Sequence, residues 1–161
     1  MIDLRVLEPD DWQDWRALRL AALEEAPQAF SSTLADWQGA ADTEQRWRSR
    51  LMAVPFNVVA ALDCEPAGMV SASGPGDTRT VELLSMWVAP FARGRGVGDA
   101  LVEAVRRWAE EHDARRLMLQ VAEGNEPAVS LYRRHGLADT GAPAAALDGI
   151  CALEMAIDLS V

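Results

Sequence analysis

Arg93-Gly94-Arg95-Gly96-Val97-Gly98 is the segment whose residue types say most about chemistry. Three alternating glycines let the backbone turn tightly and approach a ligand with no side chain in the way. At the head of a helix such a turn leaves several N–H groups pointing outward. Those donors and the positive end of the helix dipole make an anion site. Arg93 and Arg95 add charge, and a pyrophosphate is the natural guest. The spacing is not that of the dinucleotide fingerprint, whose third glycine would fall where Asp99 stands. A Walker A loop needs a lysine, and the chain contains none: all its basic residues are arginine. Lysine Schiff-base chemistry is excluded for the same reason.

Three further positions could carry chemistry. Asn125 and Tyr132 are two helical turns apart, so they share nearly the same face with Ala128 between them. A polar, small, polar stripe makes a ligand edge; taken alone, it is equally a capping asparagine and a packed tyrosine. Glu82 sits among Val81, Leu83 and Leu84. A carboxylate in such a strand is expected to have a raised pKa, which suits a general base; the other reading is an ion-paired or solvated strand-end carboxylate. Ser85 either orients a substrate or packs as a small residue. Cys64 and Cys151 lie far apart and the chain has only His112 and His135 as histidines. Neither a disulfide framework nor metal-ligand spacing is present, so two buried, reduced thiols and no metal are expected.

The elements that must position these residues are legible from periodicity and punctuation. Residues Ile2 to Leu7 read as a first strand. A helix follows with Trp12, Trp15, Leu18 and Ala22 at helical spacing, and a second covers Thr43 to Met52. Phe56 to Leu62 and Ala67 to Ser73 read as a hairpin. After the loop Gly74-Pro75-Gly76-Asp77, the run Thr80 to Val88 is apolar on both faces apart from Glu82 and Ser85, which predicts a central strand. Val97 to Glu111 is an amphipathic helix, Arg115 to Val121 a strand, and Asn125 to Gly136 a capped helix. Leu137 to Thr140 and Gly149 to Leu159 close the fold as strands.

The 161 residues fit one domain, 1–161, and half of them are apolar, enough for a sizeable core. No apolar run approaches the roughly 20 residues of a membrane span, and the N-terminus lacks the basic start and apolar stretch of a signal peptide. A cytoplasmic protein with no membrane partner is the expectation. The net charge of −10, from 15 basic and 25 acidic residues, makes nucleic acid an unsuitable partner.

Val88-Ala89-Pro90-Phe91-Ala92-Arg93-Gly94-Arg95-Gly96-Val97-Gly98 resembles the acetyl-CoA motif of the GNAT family of N-acetyltransferases, Gln/Arg-x-x-Gly-x-Gly/Ala, with Arg93, Gly96 and Gly98 in its fixed places. Asn125-Glu126-Pro127-Ala128-Val129-Ser130-Leu131-Tyr132-Arg133-Arg134-His135-Gly136-Leu137 resembles the second signature of that family, Asn-x-x-Ala-x-x-Leu-Tyr-x-x-x-Gly-Phe, with Leu137 in place of the phenylalanine. The two stand in family order over Glu82 to Leu137; residues before about 55 match only in outline.

The resemblance implies a single-domain α/β fold: a twisted, mixed sheet of seven strands with helices on both faces. It implies acetyl-CoA as co-substrate. Arg93, Gly94, Arg95, Gly96, Val97, Gly98 and Asp99 would lie at the pyrophosphate. Met86, Trp87 and Val88 would lie along the pantetheine, which Met86 and Val88 would pair with through their backbone as if it were an added strand. Asn125 and Ala128 would lie against the same arm, and Tyr132 would protonate the leaving thiolate. Glu82 would be the general base; with three to four strand residues spanning roughly 10–13 Å, a relay water could complete its reach. The implied reaction is direct acetyl transfer to a primary amine, of a small molecule, in a ternary complex. The alternatives are acetylation of protein N-terminal or lysine amines, or a silent acyl-CoA-binding module. The acceptor would lie against the first two helices and their loop, at Phe30, Ser31, Ser32, Thr33, Trp37 and Glu44, with an exposed Trp37 able to bind a cationic amine. A homodimer is compatible with this reading.

Overall fold

The computed structural model describes residues 1–30, 32–143 and 151–159. The strands are β1 (Ile2–Val6), β2 (Phe56–Leu62), β3 (Glu65–Ser73), β4 (Thr80–Val88), β5 (Arg116–Ala122), β6 (Ala138–Pro143) and β7 (Ala152–Asp158). The helices are α1 (Trp12–Glu25), α2 (Glu44–Ala53), α3 (Val97–Glu111) and α4 (Glu126–Arg134). The seven strands form one sheet in the order β1-β2-β3-β4-β5-β7-β6. Every neighbouring pair is antiparallel except β4 and β5. The expected mixed sheet is present, with β4 at its centre, and most element boundaries fall within a residue or two of the periodicity. At α2 the shift has a plain cause: Thr43 stands outside the helix as its cap, its hydroxyl accepting from the Arg46 N–H.

Helices cover both faces. One core gathers α3 and α4 with Val58, Val70, Val81 and Leu83 of the sheet. The other gathers α1 and α2 with Val59, Met69 and Trp87. Trp15 and Trp47 are wholly buried there. The Trp47 indole N–H donates to Asp42 at 2.7 Å, and Arg16 donates to the same carboxylate at 2.8 and 2.5 Å. These bonds join α1 to the start of α2. The hydrogen bonds from Arg16 and then Trp47 hold the Asp42 carboxyl down at about 2.

The central strand changes face along its length. Val81 and Leu83 enter the core under α3, whereas Trp87 and Ala89 enter the core under α1. Strict alternation would put all four on one side. The extra residue lies at Ser85, whose φ is +54°, where the register with β3 shifts between Met69 and Ser71. A bulge of this kind inverts the side-chain pattern beyond it and bends the strand. The strand therefore is apolar on both faces, as expected, but each half buries a different one.

The bend separates β4 from β5. Their parallel ladder runs from Thr80 opposite Arg116 to Glu82 opposite Met118 and stops. Beyond that point β4 stays paired with β3, and β5 with β7.

The cysteines correct an expectation. Both are free and exposed rather than buried. Cys64 lies with Asp63 in the two-residue turn between β2 and β3, with φ of +70° and +50°. A tight hairpin turn of this geometry projects from the sheet edge into solvent. Among the described residues no helix is long and apolar enough to cross a membrane.

The helix α3 approaches the sheet at Gly68. A Cβ there would stand 2.8 Å from the Trp87 carbonyl oxygen and 3.1 to 3.2 Å from Leu101 and Val97. Gly68→Ala should lower the unfolding free energy by about 1–3 kcal/mol, the usual range for overpacking, as measured by denaturant unfolding.

Candidate active site

A cleft of about 1540 Å³ opens where β4 and β5 part. Its walls are β4 from Glu82 to Val88, the end of β5 with the following turn, the face of α4, the turn before α3, and the C-terminal ends of α1 and α2.

The backbone on the β4 side of the gap is aimed into it. The Ala89 N–H donates to Ala67 of β3 at 2.7 Å, and strand carbonyls and amides alternate sides. Trp87 and Ala89 therefore face β3, while Met86 and Val88 face the space that β5 has left. The Val88 carbonyl accepts from the Arg93 Nε–H at 3.0 Å. An extended ligand arm can pair with this edge, since buried amides and carbonyls need partners.

At one end of the cleft lies the glycine turn. Gly94 and Gly96 have φ of +74° and +91°, a region that favours glycine. A Cβ on Gly94 would meet nothing within 4 Å, so backbone geometry rather than crowding requires glycine here. No backbone carbonyl among the described residues accepts from the N–H groups of Gly94, Arg95 or Gly96. Those of Val97 and Gly98, in the first turn of α3, have no intrahelical partner. The turn thus presents a run of backbone N–H donors with no backbone partner among the described residues. The arginines behave differently from expectation. Arg93 turns into the cleft and donates to Glu25 at 2.8 and 2.9 Å. Arg95 does not line the cleft; its guanidinium stands 4.0 Å from Asp63. Val97 is buried in the core, leaving only its backbone for a ligand. Asp99 lines the cleft beside Arg134 and His135, and its bonds to those two hold its carboxyl below the usual range against the opposing effect of burial.

Helix α4 supplies the opposite wall. Asn125 occupies its capping position, yet its side chain makes no capping hydrogen bond. It lines the cleft with Ala128 and Tyr132. The amide is thus available to a ligand. Tyr132 is 5 % exposed, and burial pushes its hydroxyl well above the ordinary tyrosine value.

Glu82 lies at the last rung of the β4–β5 ladder, half-buried and facing the cleft. Burial, and then the Glu154 carboxylate, raise its pKa above the ordinary glutamate value. No cation among the described residues pairs with it. The ion-paired reading of this residue has no support in the geometry.

The far end of the cleft is framed by Phe30, Ser32, Ser85, Arg19 and Arg50. Sequence reasoning missed the two arginines. Arg19 lies one turn from Trp15 and one turn from Leu23, on the apolar stripe of α1; Arg50 follows Trp47 by one turn of α2. A charge on an apolar stripe was the available signal. Glu25 was missed too; it accepts from the Trp87 indole N–H at 3.0 Å as well as from Arg93. Several expected acceptor residues are not at the cleft. Trp37 is stacked on Trp47 at 4.4 Å, with the Arg46 guanidinium 3.8 Å from its ring centroid. Both its faces are therefore occupied. Thr33 caps a short turn by accepting from the Asp36 N–H, and Glu44 faces Arg48 across one turn of α2. Ser31 lies outside the described residues.

The sequence model of the Acetyltransferase (GNAT) family matches residues 12–137. Streptothricin acetyltransferase of Streptomyces lavendulae is 33 % identical over 92 residues, 57 % of this chain and 49 % of that protein. Mycothiol acetyltransferase of Salinispora tropica is 32 % identical over 146 residues, 85 % of this chain and 45 % of that protein. The chain thus spans about half the length of these curated relatives. The crystal structure of a GNAT-family acetyltransferase from Streptococcus pneumoniae superposes with a TM-score of 0.80 at 23 % identity, covering 99 % of this chain and 100 % of that one. At that identity the likeness is one of fold.

The raised pKa of Glu82 has a consequence for folding. The fold favours its protonated form, so wild-type stability falls as pH rises through the raised value. Glu82→Gln should therefore be more stable than wild type at pH 7 to 8, with the gap closing near pH 4; urea unfolding across that range measures it.

Proposed function

Because the chain belongs to the acetyltransferase (GNAT) family, we propose that it transfers an acetyl group from acetyl-CoA to a primary amine of a small molecule, by direct attack in a ternary complex. One observation carries this reading: the bulged β4 turns the backbone of Met86 and Val88 into a cleft that ends at the glycine cradle. The residues fit the co-substrate. Gly94 to Gly98 would hold its pyrophosphate through backbone N–H groups, β4 would pair with the pantetheine arm, and Asn125 and Ala128 would lie along it. Acetyl-CoA supplies an acetyl group already activated as a thioester.

Each protein group then has one task. Glu82, with its raised pKa, takes the proton of the incoming ammonium, directly or through a water. The Val88 N–H, facing the gap, polarises the acetyl carbonyl. The Tyr132 hydroxyl, its pKa raised by burial, serves as a hydrogen-bond donor to the departing sulfur: as the tetrahedral intermediate collapses and the C–S bond breaks, it gives its proton to the thiolate and is reprotonated by the second proton of the amine nitrogen. Neither cysteine lines the cleft, which supports direct transfer over an acyl-enzyme. A silent acyl-CoA-binding module would need neither Glu82 nor Tyr132, and both face the cleft.

Calorimetric titration with acetyl-CoA should give saturable binding near one per chain. A folded protein that binds none would overturn the reading. Tyr132→Phe should lower kcat by about 100-fold, within the range for a general acid, and leave the KM for acetyl-CoA nearly unchanged. Unaltered turnover would remove the acid role.

A further inference from the structure

Arg19 and Arg50 converge on the acceptor end of the cleft with no counter-charge. Arg19 is 8 % exposed. Its Nη1 is buried with no hydrogen-bond partner, and the other such buried side-chain atom among the described residues, the Trp15 indole nitrogen, is also a donor. The Arg19 guanidinium lies 4.6 Å from the centroid of the Phe30 ring, a cation–π contact that brings no counter-charge. Arg50 donates to Asn57 at 3.1 Å, Ser71 at 3.2 Å and Ser85 at 3.3 Å. All three acceptors are neutral. They take three of its five N–H donors and leave its charge.

Neither guanidinium forms an ion pair with a carboxylate among the described residues, whereas Arg5, Arg16, Arg48, Arg93, Arg106 and Arg134 all do. The chain has 25 acidic residues and has placed none of the described ones against this pair. Burial lowers Arg50 to about 10, and burial together with the neighbouring Arg50 charge lowers Arg19 to about 10. Both remain cationic at neutral pH, so two like charges share a desolvated corner. Glu82, in the same cleft, is raised rather than lowered, so it is not their counter-ion. Removing a charge from water without a partner is unfavourable, and a ligand anion would supply what is missing.

We propose that Arg19 and Arg50 form a carboxylate subsite, and that the acceptor is an amine bearing a carboxylate, of the amino-acid type. This rests on the acetyl-transfer reading and names its substrate class. A planar guanidinium matches a carboxylate in two parallel hydrogen bonds. Arg19 has donors to spare for that bond, and Arg50 is held rigidly toward the cleft by Asn57, Ser71 and Ser85. With the carboxylate anchored between α1 and α2, the amine of the same molecule is directed toward Glu82 and the open edge of β4.

The test compares the standard L-amino acids, their aminoalkylphosphonate analogues and the amines left by their decarboxylation, with acetyl-CoA, by CoA release. At least one amino acid should exceed its decarboxylated amine in kcat/KM by roughly tenfold or more, the worth of one charged hydrogen bond. It should also exceed its phosphonate analogue; a preference for phosphonates would move the subsite to phosphate chemistry and overturn the carboxylate assignment. In Arg19→Met the ratio should collapse toward one. Decarboxylated amines that react as well as the acids, or a ratio unmoved in the variant, would overturn the proposal. A second readout needs no turnover. Arg19→Met removes an uncompensated buried charge, so its ligand-free melting temperature should rise. Wild type should be stabilised by the preferred amino acid and the variant should not. A variant that melts lower and is still stabilised would show Arg19 to be structural. Arg50→Gln provides the same comparison should Arg19→Met misfold. Loss of all CoA release, with acetyl-CoA bound and amino-acid stabilisation intact, would count against the transfer reading and not against the subsite.

Discussion

A strand in the middle of a sheet needs hydrogen-bond partners on both edges, and β4 loses one of them halfway along. Up to Glu82 it is held by β3 and β5; after Ser85 it is held by β3 alone. The single positive-φ serine does this by bending the strand and inverting its side-chain pattern. Trp87 then anchors the far half in the core under α1, and the backbone of Met86 and Val88 is left to whatever enters the gap. The cleft follows from that loss of pairing, and Glu82 stands where it opens, at the last complete rung.

Much of this was legible in the chain. The tight turn before α3 was legible because only glycine readily adopts the conformation that Gly94 and Gly96 hold. Asn125, Ala128 and Tyr132 shared a face because helices repeat every 3.6 residues. Glu82 stood out as a charge in an apolar strand, and the structure gives it the raised pKa that such a setting causes. What sequence could not supply were relations between distant segments. Arg93 stands in the cradle motif, yet it turns to Glu25, which is brought near by the packing of α1 on the sheet. Trp37 reads as a binding residue in the sequence, but the fold sets Trp47 and Arg46 against its ring. Residue type alone predicts buried cysteines, whereas a hairpin turn places Cys64 outside. Arg19 and Arg50 carried a sequence signal, a charge on an apolar stripe, but their proximity is a property of two helices meeting over one sheet.

The contact between Glu25 and Arg93 has a mechanical side. Glu25 closes α1, and Arg19 sits six residues earlier on the same rod, about 9 Å along its axis. The rod therefore touches both ends of the cleft, one through a carboxylate that grips Arg93 and Trp87, the other through a guanidinium with nothing to hold. A shift of α1 along its axis would move both contacts together, so the grip on Arg93 and the reach of Arg19 are two settings of one lever.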